Sequence, residues 1–258
     1  GIWYNLGMRI IISPAKKMRV DVEYLPCQDL PQFLGEAETL LYRLRQLDPA
    51  ALQALWKCND ALARENIARL PQMDLYRRLT PAILAYDGIQ YRYLAPNVLE
   101  EGELAYLQTH LRILSGFYGL LRPLDGVAPY RLEMQAKLSV GEARDLYAFW
   151  GEKLGAALGA ETEQVLNLAS REYSRAVLPH LPRHVAWVEC VFGQVIDGRV
   201  VEKGTLCKMA RGSMARWLAQ THAQDLEAAK GFCQLGYAYD SQRSTEKTYV
   251  FIKGGEAC

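Results

Sequence analysis

Lys208, Arg211 and Arg216 fall within residues 205–219, Thr-Leu-Cys-Lys-Met-Ala-Arg-Gly-Ser-Met-Ala-Arg-Trp-Leu-Ala, a stretch with no acidic residue. At about 100° per residue of helix, Ala210, Met214, Trp217 and Thr221 share one face, with Leu218 at its edge. The three cations fall on the other side, spread over roughly 140°. Such a face suits phosphate, because Lys and Arg hold phosphate oxygens without reading bases. Gly212 lies among the cations. A glycine inside a helix costs ~1 kcal/mol relative to Ala, and close approach of a phosphate or of another backbone accounts for that cost. A solvated amphipathic surface helix explains the same spacing.

Two further stretches carry cations without acids. Ser13-Pro-Ala-Lys16-Lys-Met-Arg19 follows an apolar run, Met8–Ile12, and loops at strand ends are frequent functional positions in α/β folds. Leu114-Ser-Gly-Phe-Tyr-Gly-Leu120 places Gly116 and Gly119 three apart, which permits a tight turn whose N–H groups face a phosphate. Arg112 and Arg122 flank it, and Arg131 follows in the loop 123–133. Packing glycines and a solvated turn are the structural alternatives. Glu172 and Tyr173 follow the apolar run 164–170 and offer acid/base groups beside Lys208; a cap and a packed tyrosine are the alternative there. His180 and His184 are four apart, but Pro182 between them argues against one metal-binding helical face. No Walker loop, nucleophile elbow or His-Glu-x-x-His helix is present, so neither a metal nor a cofactor is expected.

The elements that must position these residues alternate in type. Met8–Ile12 and Gln164–Ser170 read as buried strands, 83–93 as a strand broken at Asp87-Gly88, and 185–191 and 194–203 as strands. Asp197-Gly198 fits a two-residue hairpin turn. Residues 236–240 and 248–252 read as closing strands. Residues 35–47 read as a helix, Asp48-Pro49 as the start of a second, and 101–113 and 141–158 as further helices. The reading is one α/β domain with a mixed β-sheet flanked by helices. The chain has 258 residues, half of them hydrophobic, with net charge +1. A polyanion must therefore be met by a local patch rather than by the overall field. The six cysteines form no Cys-x-x-Cys pair, and neither a signal peptide nor a long apolar run is evident, so the chain reads as cytosolic and reduced. Residues 1–7 before Met8 read as an upstream extension, with the single domain over 8–258.

Several stretches together resemble the bacterial peroxide-stress resistance protein YaaA family. They are Ile11-Ile-Ser-Pro-Ala-Lys16, His110 to Asp125 with Pro129 to Met134, Asp145 to Gly151, Asn167-Leu-Ala-Ser-Arg-Glu-Tyr173 and Lys208 to Arg216. The resemblance runs from Met8 to about Ile252. It implies a cytoplasmic, single-domain α/β protein that binds DNA; contact through Lys and Arg on phosphates makes double-stranded DNA, bound largely independently of sequence, the expected partner of a monomer. It also implies a helix-hairpin-helix-like element, a basic cleft, and a role in limiting damage from hydrogen peroxide and intracellular iron. Leu114–Leu120 is the favoured hairpin stretch and Leu62–Ala68 the alternative. Ser13, Lys16, Arg112, Gly116, Gly119, Arg122, Arg131, Lys208, Arg211, Gly212 and Arg216 are the expected phosphate contacts. An enzyme on a nucleotide or nucleobase, with Glu172, Tyr173 and Lys208 around a pocket, is the competing expectation.

Overall fold

The computed structural model describes residues 7–254; the expected extension before Met8 lies outside them except for Gly7. The first strand, β1 (Arg9–Ile12), is wholly buried. Strands covered on both faces by helices read as continuous β-branched runs, which is what Ile10-Ile-Ile12 supplies. The short β2 (Lys17–Met18) follows. Three helices come next: α1 (Leu34–Arg45), α2 (Pro49–Trp56) and α3 (Asp60–Arg69). Asp48 caps α2 as its position before Pro49 predicts, its Oδ1 accepting from the Ala51 N–H at 2.8 Å. Lys57, in the left-handed region, ends α2, and Asn59 caps α3.

The segment expected as a broken strand is mostly helical. After β3 (Thr80–Pro81) it forms α4 (Ala82–Ala85), β4 (Tyr86–Asp87) and α5 (Ile89–Leu94). The expected helix 101–113 stops earlier, as α6 (Glu101–His110), and its last residues belong to β5 (Leu111–Ser115). β5 turns into β6 (Gly119–Leu121), followed by β7 (Gly126–Val127). The helix expected over 141–158 is two, α7 (Leu146–Trp150) and α8 (Lys153–Glu161), separated at Gly151, whose φ is 51°. Then come β8 (Gln164–Asn167), α9 (Arg171–Ser174), β9 (Ala186–Ile196), β10 (Arg199–Val201), α10 (Gly204–Gln220), β11 (Tyr237–Tyr239) and β12 (Thr248–Lys253).

Eight strands form one mixed sheet in the order β11-β12-β9-β8-β1-β5-β6, with β10 paired to β9. Its centre, β12-β9-β8-β1-β5, is parallel, while β6, β10 and β11 are antiparallel. The β9–β10 turn is Asp197-Gly198, both at positive φ as a type I′ hairpin requires. A single buried cluster joins the sheet to the helices. Cys27, Cys58, Cys190 and Cys207 are free thiols, whereas Cys233 is in a disulfide, an exception to the expectation of reduced cysteines. Among the described residues no helix is long and apolar enough to cross a membrane.

Neither expected hairpin stretch lies between two helices. Leu114–Leu120 is the β5–β6 strand hairpin, and Leu62–Ala68 is interior to α3.

Candidate functional site

β1 and β8 are parallel neighbours. The chain leaves β1 to reach β5 on one side and leaves β8 to reach β9 on the other. This reversal of direction opens a crevice at the carboxyl ends of the two strands, where open α/β sheets bind their ligands. Ser13 follows β1 and Ser170 follows β8, and the two close the crevice floor. The Ser170 N–H donates to Ser13 Oγ at 2.8 Å, and Ser13 Oγ lies 3.2 Å from Ser170 Oγ. The Ser13 carbonyl accepts from Gln90 Nε2 at 3.0 Å and from the Tyr91 hydroxyl at 2.8 Å. α5 is thereby tied to the strand end.

α10 lies against α5. At Gly212 an added Cβ would meet the Gln90 carbonyl oxygen at 2.0 Å. The helices touch backbone to backbone there, which only glycine permits. That contact brings Lys208 and Arg211 to the crevice. The result is a partly enclosed cavity of about 430 Å³. Its walls are the loop Ser13–Lys17, residues 87–91, the segment 130–133, the start of α9 with Glu172 and Tyr173, and Lys208 and Arg211 of α10.

The charges in the lining divide into paired and unpaired. Lys16 Nζ lies 3.4 Å from Glu133 Oε1, and Lys17 Nζ lies 3.6 Å from Asp87 Oδ2. Arg131, Lys208 and Arg211 have no ion-pair partner among the described residues. The Arg131 Nε is buried and has no hydrogen-bond partner there either. Glu172 Oε2 accepts from the Gln135 N–H at 3.2 Å, and the Tyr147 hydroxyl donates to the Glu172 carbonyl at 2.7 Å. Burial pushes the Glu172 carboxyl above its usual range; the charge of Glu133 adds to this, while the Gln135 N–H and Lys16 oppose it. Burial also holds the Tyr173 phenol well above its ordinary value.

The structure gathers Ser13, Lys16, Arg131, Glu172, Tyr173, Lys208 and Arg211 of the expected residues into this cavity. Others are occupied elsewhere. Arg112 is buried on β5, with Nε and Nη2 on the Glu161 carboxylate at 3.0–3.2 Å and Nη1 on the carbonyls of Gln108 and Leu111. Arg122 donates from its backbone N–H and from Nε to the buried Asp125, each at 2.8 Å. Arg216 Nη1 lies 3.3 Å from the carbonyls of Leu94 and Ala95, at the end of α5. The three glycines expected to face phosphate face packed neighbours instead, which for Gly212 is the second of the two alternatives, close approach of another backbone. At Gly116 a Cβ would strike the Leu132 carbonyl at 2.7 Å, Gly119 has φ +79° beneath Trp150, and Gly212 faces Gln90. Against the expected basic cleft, the lining is mixed in charge, since Asp87, Glu133 and Glu172 share it with the cations.

Sequence reasoning missed Ser170, Gln90, Tyr91 and Glu133. Ser170 had a signal, a polar turn at the end of an apolar strand. Gln90 and Tyr91 had none once their segment was read as a strand.

Comparison with known proteins places these features in a family. The model of the peroxide stress protein YaaA family matches residues 8–243. A UPF0246 protein of Lactiplantibacillus plantarum is 49% identical over 245 residues, covering 95% of this chain and 99% of the relative. UPF0246 proteins of Lachnoclostridium phytofermentans and Desulfitobacterium hafniense are each 49% identical, over 96% and 95% of this chain and 97% and 98% of their own lengths.

Proposed function

The chain belongs to the peroxide stress protein YaaA family, and from that premise we propose that it acts in the peroxide response by binding DNA through phosphate held at the β1–β8 crevice, limiting oxidative and iron-dependent damage. The observation that carries this reading is the set of three cations, Arg131, Lys208 and Arg211, facing one cavity without carboxylate partners among the described residues. A guanidinium nitrogen buried without a partner is costly, and an ion or ligand is one of the explanations such a group calls for. Phosphate contact of this kind is independent of base sequence.

A mobility-shift titration across salt tests the reading. Log K is expected to fall with log salt at a slope of ~−0.9 per phosphate neutralised. Lys208→Gln and Arg211→Gln together should reduce that slope by about two while leaving base preference unchanged. Absence of binding at every ionic strength would refute it.

The enzyme reading is favoured by one observation. Glu133, paired with Lys16, and the half-buried Glu172, whose carboxyl is raised by burial, share a cavity, which sets a candidate proton-transfer group beside an ion-paired carboxylate. Glu172→Gln keeps an acceptor for the Gln135 N–H, so the fold should survive. Loss of protection in peroxide-stressed cells with DNA affinity intact would support catalysis; full protection would make Glu172 a clamp on the 133–135 segment.

A further inference from the structure

We propose that the cavity selects a terminal phosphate monoester, carried by a DNA strand end or by a free nucleotide, over an internal phosphodiester of the backbone. This rests on the DNA-binding reading only for the strand-end source.

Charge is the first argument. Lys16, Lys17, Arg131, Lys208 and Arg211 face Asp87, Glu133 and Glu172 in the lining, which leaves two positive charges in excess with every group ionised. Because Lys16 and Lys17 are matched within the lining by Glu133 and Asp87, the excess sits with Arg131, Lys208 and Arg211, balanced only by Glu172. A phosphate monoester carries about −1.5 to −2 near neutral pH and three acceptor oxygens, whereas an internal diester carries a single negative charge. The dianion neutralises this lining and offers an acceptor to each of the three cations. A diester, with one negative charge, leaves one of these cations without a countercharge and offers fewer free acceptor oxygens to the three.

Shape is the second argument. The cavity, about 430 Å³, falls in the range of pockets for small ligands, ~300–1,000 Å³. An internal diester has a sugar on both sides, so the strand must enter and leave the same space. A terminal phosphate needs to enter only once. The floor is the rigid Ser13–Ser170 contact at two strand ends, and the cations come from two separate segments, 130–133 and α10. A site built this way converges on one point charge rather than following a strand.

The test uses the full chain and one DNA sequence in three forms: linear duplex with phosphate ends, the same duplex with hydroxyl ends, and a covalently closed circle. Deoxynucleoside monophosphate and the matching nucleoside serve as competitors. Phosphate-ended duplex is expected to bind at least tenfold more tightly than either other form, with the monophosphate competing and the nucleoside not. Lys208→Gln and Arg131→Gln should each abolish that preference, and a melting scan of each variant separates loss of the site from loss of the fold. If the circle binds as tightly as the phosphate-ended duplex, DNA binding stands and the selection proposed here is overturned. If no DNA form binds but the monophosphate does, the monoester site stands with the free nucleotide as its source, and the DNA-binding reading falls. If nothing binds, both are refuted.

Discussion

Gly212→Ala probes the contact on which the site is built. The added methyl group would lie 2.0 Å from the Gln90 carbonyl oxygen and 3.0 Å from Tyr93 Cβ. The nearest atom is backbone, so no side chain can rotate away. α10 and α5 must separate until that contact lengthens from 2.0 Å toward the 3.4 Å of ordinary van der Waals contact. A clash with backbone at 2.0 Å puts the cost of overpacking in the upper part of its usual range, ~2–3 kcal/mol, and the helix propensity of Ala over Gly returns ~1 kcal/mol. The net expectation is about 1–2 kcal/mol of destabilisation. For a domain of this size that lowers Tm by roughly 2–8 °C. The effect should also reach the cavity. Gln90 Nε2 and the Tyr91 hydroxyl both hold the Ser13 carbonyl, so displacing α5 shifts the crevice floor. Phosphate binding should therefore weaken although the methyl group lies outside the cavity. Lys208→Ala is the reference variant, expected to weaken binding with Tm within about 1 °C of wild type, since it breaks no ion pair among the described residues. Calorimetry with salt-dependent mobility shift measures both quantities. A Gly212→Ala protein with an unchanged or higher Tm would refute the account of α10–α5 packing.

Arg112→Ala should lower stability by ~1.5–3 kcal/mol in a denaturant titration, because it removes the charge-assisted hydrogen bonds to Glu161, while DNA affinity stays as it was. Ser13→Ala removes the acceptor for the Ser170 N–H and the contact with its hydroxyl; a loss of ~1–2 kcal/mol together with weaker phosphate binding is expected in the same two assays. His110 supplies a pH dependence. Burial is the main cause that lowers its pKa below 6.5, with Arg9 and Arg112 adding to it and the Met8 carbonyl opposing. Its folded form thus resists protonation, so the stability it contributes is present above 6.5 and is lost as pH falls below that value toward the lowered one. Melting curves between pH 7.5 and 5 should show a decline that His110→Gln makes shallower.

What was legible in the sequence was local. Ile10-Ile-Ile12, the Asp48-Pro49 cap and the Asp197-Gly198 turn each contain their own reason for their structure, and each appears where expected. The stretch 83–93 shows where local reading ends. Its tyrosines and isoleucines suit a strand, yet Tyr91 and Leu94 are buried on a short helix held against α10, a contact set by Gly212 more than a hundred residues away. The glycines 116 and 119 look the same whether they face a phosphate or a packed neighbour, and Leu132 and Trp150 decide the matter.

The cations make the same point for function. Composition counts Lys and Arg, but whether one is available depends on partners that the fold brings from elsewhere. Arg112 is taken by Glu161, forty-nine residues on, Arg122 by Asp125, and Arg216 by the carbonyls that end α5. Lys16 reaches the cavity already matched by Glu133. Of the seven cations that the sequence offered for phosphate, only Arg131, Lys208 and Arg211 remain with neither a carboxylate nor a carbonyl partner among the described residues, and all three line the cavity at the β1–β8 switch point. A solvated charged face would have scattered its unpaired charges over the surface. Their convergence where the topology opens a crevice is what distinguishes a site from a basic stretch.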